Sequence, residues 1–97
     1  MNRSIVLEVA DRCLSERIER VAKRASSYDV REISLVTQQI LFDIYSEART
    51  SGGMGDAEDI LRNDNIKAAL SRLPARSRAL AADVLVCAHA LLRPLAD

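Results

Sequence analysis

Glycine, proline and aromatic residues are scarce in this 97-residue sequence. It contains three glycines, two prolines, one Phe, two Tyr and no Trp. So few glycines and prolines exclude a fold made of many turns and long loops. Because large aromatic side chains are nearly absent, the hydrophobic core must be built from Leu, Ile, Val and Ala.

An excess of charge of one sign is also lacking, because 14 Lys and Arg balance 14 Asp and Glu. A net charge of zero removes the usual electrostatic reason to expect a nucleic acid or an anionic membrane as the main partner. It also weakens the repulsion between two copies of the chain. We therefore expect a protein partner, a second copy or both.

Long hydrophobic runs are absent as well. The apolar run at 5–7 is interrupted by Glu8 and Asp11, which makes it too short and too charged for a secretory signal. No stretch free of ionisable residues is long enough to span a bilayer. These absences predict a cytoplasmic protein with no membrane partner.

The two cysteines, Cys13 and Cys87, are too few for a disulfide framework. Both lie on apolar arcs of predicted helices. We expect two buried thiols in a reducing compartment.

A helical period of apolar residues predicts two long helices in the first half of the chain. The first runs from Arg3 or Ser4 to Ala25 and carries pairs of acidic and basic residues, four apart, on its outer side. Asp29 suits the N-cap position of the second helix, and a capping box follows it. The second helix continues to about Thr50, where a glycine-rich connector begins.

The segment after that connector changes its helical phase. Ile60 and Leu61 would share one side of a continuous helix, and Ile66 and Leu73 would share the opposite side. The change falls at 63–65, where Asn and Asp favour caps and turns. We predict a short helix near 57–62, a break, and a second short helix near 65–72.

A third long helix is predicted from Pro74 to about Arg93, with Pro94 ending it. Its large apolar residues cover a broad arc, and they are Leu80, Val84, Leu85, Leu91, Leu92 and Leu95. Either this helix is the core helix, or part of the arc lies in a homodimer or partner groove. His89 falls outside the arc and is expected at its boundary.

Together these elements predict an all-α fold of one domain, residues 1–97. It is a small helical bundle of three helices of about 20 residues plus a broken short helix, mostly antiparallel.

The second helix carries an unusual pair of apolar residues on its polar side. Leu35 and Phe42 are seven residues apart, so they line up along the helix, among Arg31, Gln38 and Arg49. One interpretation is that other helices of the same chain cover the pair. The other is that these five residues form an interaction surface for a partner or a second copy.

The densest basic patch is Arg72, Arg76 and Arg78 around Pro74. Such a patch fits a solvated helix start, an acidic protein partner or, less well, nucleic acid. Binding of nucleic acid through the patch is unlikely because no aromatic residues are interleaved for base stacking.

Residue groupings for catalysis, cofactors or metals are not evident. The sequence lacks a nucleophile–base pair, a phosphate-binding glycine pattern and clustered metal ligands. His89 lies in a context similar to that of histidine phosphotransfer domains, but Leu92 and Arg93 stand where that motif has Lys and Gly. We therefore predict no catalytic, cofactor-binding or metal site.

The sequence thus favours a non-enzymatic protein–protein interaction module that acts as a homodimer. Its role would be that of a regulator, inhibitor, adaptor or secretion-type chaperone. Two alternatives stay open. One is a small helical enzyme with an Arg-lined pocket, by analogy with the AroQ-type chorismate mutases, using Arg12, Arg17 and Lys23. The other is a nucleic-acid-binding regulator that uses the arginines at 72–78.

Overall fold

The computed structural model describes residues 3–21, 27–46 and 57–96. These residues form five α-helices and no β-strand, which confirms the all-α bundle. The helices are α1 (Arg3–Val21), α2 (Ser27–Ser46), α3 (Ala57–Arg62), α4 (Asp64–Leu70) and α5 (Ala75–Ala96). Three of them have 19, 20 and 22 residues, as predicted. The predicted glycine-rich connector and the expected ends of the first two helices lie outside the described residues.

Side-chain contacts give the directions of the three long helices. Gln38 of α2 reaches Asp11 of α1, and Phe42 lies near Arg3, so α1 and α2 are antiparallel. Asp29 contacts Arg76 and Tyr45 contacts His89, so α2 and α5 advance in the same direction. Helices α3 and α4 provide the crossover that a parallel pair requires. Helix α1 is consequently antiparallel to α5.

The core lies where α1, α2 and α5 meet, and α5 supplies its centre. Five residues of α5 have no exposed surface, namely Ala81, Val84, Leu85, Ala88 and Leu92. On α2 the buried residues include Ile33, Ile40, Leu41 and Ile44. On α1 they are Val6, Ala10, Cys13 and Leu14.

The predicted break between the two short helices is confirmed at Asn63. This residue has extended backbone angles, φ −66° and ψ 125°. Its side-chain oxygen accepts a hydrogen bond from the backbone N–H of Ile66 at 3.1 Å, and its carbonyl oxygen accepts one from Lys67 at 2.9 Å. The cap lets Ile60 and Ile66 both reach the core from helices of different phase.

The predicted N-cap of α2 is wrong, because the helix begins at Ser27 and Asp29 lies within its first turn. The carboxylate of Asp29 is buried and accepts two hydrogen bonds from Arg76. An acidic residue in the first turn also interacts favourably with the helix dipole. Asp29 therefore links the first turn of α2 to α5.

The predicted end of the last helix is also wrong, because α5 continues past Pro94 to Ala96. Proline fixes a φ angle that a helix accepts, and Pro94 lies in the last turn of α5, so its missing N–H affects only the end of the helix.

We expect Asn63→Ala to destabilise the protein by about 1 kcal/mol, because the first turn of α4 loses its side-chain cap. Urea unfolding followed by circular dichroism measures this change. Asn65→Ala is the matched control, since Asn65 lies inside α4 and is exposed. An equal loss of stability in both variants would contradict the capping role.

Candidate interaction surfaces

The outer face of α2 carries an apolar side chain that the chain itself leaves uncovered. Leu35 is 57% exposed. Phe42 lies two helical turns further along α2 and is half-buried against the core. The guanidinium of Arg3 lies 4.6 Å from the centre of its ring. The structure therefore separates the two residues: α1 partly covers Phe42 and leaves Leu35 open.

The polar members of the predicted α2 surface are placed differently from one another. Arg31 is exposed. Gln38 is half-buried and donates to Asp11 at 3.3 Å and to Ser34 at 3.0 Å, so it ties α2 to α1. Arg49 lies outside the described residues. Leu35 and Arg31 are thus the parts of this surface that face solvent.

An apolar groove lies beside Leu35, between α2 and α4. We call it the α2–α4 groove. It has a volume of about 380 Å³ and is lined by Leu35, Val36, Gln39, Ile40, Asp43, Asn65, Ala68, Ala69 and Arg72. A second hollow of about 350 Å³ shares four of these residues and extends the groove toward Ile44 and Ile66. The sequence did not predict this groove, because it depends on how α4 crosses α2.

Two opposite charges flank Leu35 on the exposed face of α2. Arg31 lies four residues before Leu35, and Asp43 lies eight residues after it. Both are exposed, and Asp43 accepts a hydrogen bond from Gln39 at 3.2 Å. The face therefore has a positive end and a negative end with an apolar residue between them.

Further exposed apolar side chains lie toward one end of the α1–α5 pair. Cys13 and Cys87 are in contact, and the two helices are antiparallel. Ile5 lies eight residues before Cys13 and Leu95 eight residues after Cys87, so both are displaced by about 12 Å in the same direction. Val9, four residues before Cys13, and Leu91, four residues after Cys87, likewise lie at one height along the two helices. Ile5, Leu91 and Leu95 are 38%, 46% and 62% exposed. We call this set the α1–α5 strip.

The broad apolar arc that was predicted for the last helix is only partly buried in the structure. Val84, Leu85 and Leu92 are fully buried, and Leu80 packs against the core. Leu91 and Leu95 belong to the same predicted arc but remain exposed. The core thus accounts for part of the arc, and the rest is uncovered.

The arginine patch is largely engaged within the chain. Arg76 donates from Nε and Nη2 to the two carboxylate oxygens of Asp29 at 3.1 and 3.0 Å. These hydrogen bonds, with the attraction of the carboxylate, raise the pKa of Arg76. Arg78 donates to the carbonyl oxygens of Leu73 and Ser71 at 3.0 and 3.1 Å, where α4 has ended.

His89 is buried, and its expected place at the boundary is wrong. It is 4% exposed, and its Nδ1 lies 2.7 Å from the hydroxyl oxygen of Tyr45. A buried ring needs such a partner because unsatisfied polar groups are costly in a core. The tyrosine 44 residues away supplies it, a pairing that local sequence cannot reveal.

The cationic residues suggested for an enzyme pocket lie elsewhere. Arg12 is within 3.9 Å of Glu8, and Arg17 is within 3.9 Å of Glu16, all on α1. Lys23 is outside the described residues. Neither hollow beside α4 is lined by Arg12 or Arg17.

The described residues contain neither a cluster of potential metal ligands nor a membrane-spanning helix. Residues 3–21, 27–46 and 57–96 contain no cluster of three or more His, Cys, Asp or Glu that could hold a metal ion. Within the same ranges no helix is long and apolar enough to cross a membrane.

We expect Arg76→Ala to lower the melting temperature, because it leaves the buried carboxylate of Asp29 without its bidentate partner. Thermal unfolding measures the effect. Arg72→Ala is the matched control from the same patch, since Arg72 is exposed and lines the groove. Equal melting temperatures for the two variants would contradict a structural role of Arg76.

No protein-family model, curated protein or solved structure matches this chain. The candidate surfaces therefore rest on the geometry of the chain itself.

Proposed function

We propose that the chain is a non-enzymatic protein–protein interaction module that acts as a homodimer, in the role of a regulator, inhibitor, adaptor or secretion-type chaperone. The observation that carries the proposal is the exposed Leu35 next to an apolar groove that has room for such a side chain. Each copy offers both a projecting leucine and a hollow. In a two-fold symmetric dimer, Leu35 of each copy can enter the groove of the other copy, so the same contact forms twice.

The charges on α2 support an antiparallel contact between two α2 helices. Arg31 and Asp43 are equally distant from residue 37. If the two-fold axis passes at that level, Arg31 of each copy faces Asp43 of the other. The same axis brings Leu35 opposite Gln39, at the rim of the other copy's groove.

The apolar and charged parts of this contact contribute differently. Burial of one leucine side chain contributes about 1.5–3 kcal/mol, and the symmetric dimer buries two. Exposed ion pairs contribute about 0–1 kcal/mol each, so they mainly fix the direction of pairing. The net charge of zero leaves no overall repulsion between the copies.

The α1–α5 strip supports a further protein partner. In the proposed dimer it stays free, because it lies on α1 and α5 and the dimer contact uses α2 and α4. Ile5, Leu91 and Leu95 are exposed, and a partner that covered them would remove their apolar surface from water.

Two features of the arginines support this proposal over the alternatives. Arg76 and Arg78 hold Asp29 and the end of α4, which favours a structural use over binding of nucleic acid. Arg12 and Arg17 lie beside acidic residues of their own helix, which favours a solvated face over an enzyme pocket. A cytoplasmic location is part of the proposal, and the two free thiols support it.

We expect Leu35→Glu to weaken the dimer at least about tenfold in Kd, because it removes the leucine from the groove and brings a charge there. Sedimentation equilibrium or light scattering across a dilution series measures the change. Leu91→Glu is the matched control, because it places the same charge on an exposed leucine of α5. A monomeric wild-type protein, or equal Kd values for both variants, would contradict the proposed contact.

A charge exchange tests the direction of pairing. We expect Arg31→Asp and Asp43→Arg each to weaken the dimer, because each places like charges opposite one another. The double variant carries both changes and is expected to recover most of the affinity at low salt. Additive losses in the double variant would exclude an antiparallel contact between Arg31 and Asp43.

A further inference from the structure

The two thiols of the chain lie directly against each other. The sulfur atoms of Cys13 and Cys87 are 2.8 Å apart, across the contact between α1 and α5. Both cysteines are free. Cys13 has no exposed surface, whereas Cys87 is partly exposed. The sequence predicted two buried thiols and did not predict that they meet.

The distance between the two sulfur atoms is close to that of a disulfide bond. An S–S bond is about 2.05 Å long, so the sulfur atoms need to approach by only roughly 0.8 Å. The residues are 74 positions apart in the chain, and it is the packing of α1 on α5 that brings them together. No larger rearrangement is needed to place one sulfur against the other.

We propose that Cys13 and Cys87 form a peroxide-oxidised thiol site, in which an intramolecular disulfide links α1 to α5. The thiol of Cys87 attacks one oxygen of hydrogen peroxide, which gives a sulfenic acid and releases water. The sulfur of Cys13 then attacks the sulfur of the sulfenic acid, the S–O bond breaks, and the thiol proton of Cys13 passes to the departing hydroxide, which leaves as the second water. In total, two thiols lose two electrons and two protons, and one peroxide is reduced to two waters.

The order of the two steps follows from the different surroundings of the sulfurs. Burial, together with the hydrogen bond to Cys87 and the proximity of that residue, raises the pKa of Cys13 to about 12. Cys13 is therefore a neutral thiol at physiological pH and is shielded from solvent, so it does not meet the oxidant first. Cys87 is the thiol that peroxide reaches.

The site does not depend on the proposed dimer. Oxidation at Cys87 uses α1 and α5, whereas Leu35 and the groove belong to α2 and α4. A measurement of thiol oxidation can therefore fail while the measurement of dimerisation succeeds, and the reverse.

The test is intact-mass spectrometry of the folded wild-type chain treated with hydrogen peroxide. We expect a loss of about 2 Da, no thiol that reacts with iodoacetamide after unfolding, and full reversal by dithiothreitol. The melting temperature of the oxidised form should rise by roughly 10 °C or more, because the link closes a long loop. A non-reducing gel should show a single chain.

Two variants separate the steps. Cys87→Ser leaves only the shielded thiol, and we expect it to stay unmodified at peroxide concentrations that oxidise the wild type. Cys13→Ala leaves Cys87 without a resolving thiol, and we expect Cys87 to gain about 16 Da or more instead of losing mass. Wild-type protein that only gains oxygen, cross-links two copies or keeps both thiols would overturn the proposal.

Discussion

The close packing of α1 and α2 on α5 is the constraint on which the rest of the structure depends. It is possible because small residues, Ala81 and Ala88, lie at the contact and have no exposed surface. Large aromatic side chains would hold the helices further apart. The same closeness brings Cys13 onto Cys87 and the hydroxyl of Tyr45 onto the ring of His89. With so few aromatic residues, the chain gains its core by short distances between helices and by leucine, isoleucine and valine packed between them.

The parallel direction of α2 and α5 has a consequence for the surface. A parallel pair needs a crossover, and here the crossover is the two short helices α3 and α4. Asn63 separates α3 from α4 and caps α4, so the two short helices bury different faces, through Ile60 and Ile66. Helix α4 is only seven residues long, so it covers α2 incompletely. The α2–α4 groove and the exposure of Leu35 follow from that short cover.

Periodicity and caps predicted the helices well, because both are local properties of the chain. Residue spacing predicts helix α2 and the break at Asn63. It does not predict contacts between residues that are far apart in the chain. The local pattern predicts a cap at Asp29, whereas the partner of Asp29, Arg76, is 47 residues away. Leu35 and Phe42 looked equivalent on a helical wheel, yet only Phe42 lies under Arg3. The groove, the strip and the thiol pair all depend on tertiary placement, which no local pattern encodes.

Several charged side chains stabilise the fold, whereas several apolar side chains remain exposed. Arg76 and Arg78 are exposed, but they donate hydrogen bonds to a buried carboxylate and to the last carbonyls before α5, so they stabilise the fold. Paired charges on α1 likewise serve their own helix. Among the apolar side chains, Leu35 at the groove and Ile5, Leu91 and Leu95 of the α1–α5 strip remain exposed. A partner that buries these side chains gains free energy by removing them from water. The balance of the described surface therefore favours protein partners, beginning with a second copy of the chain.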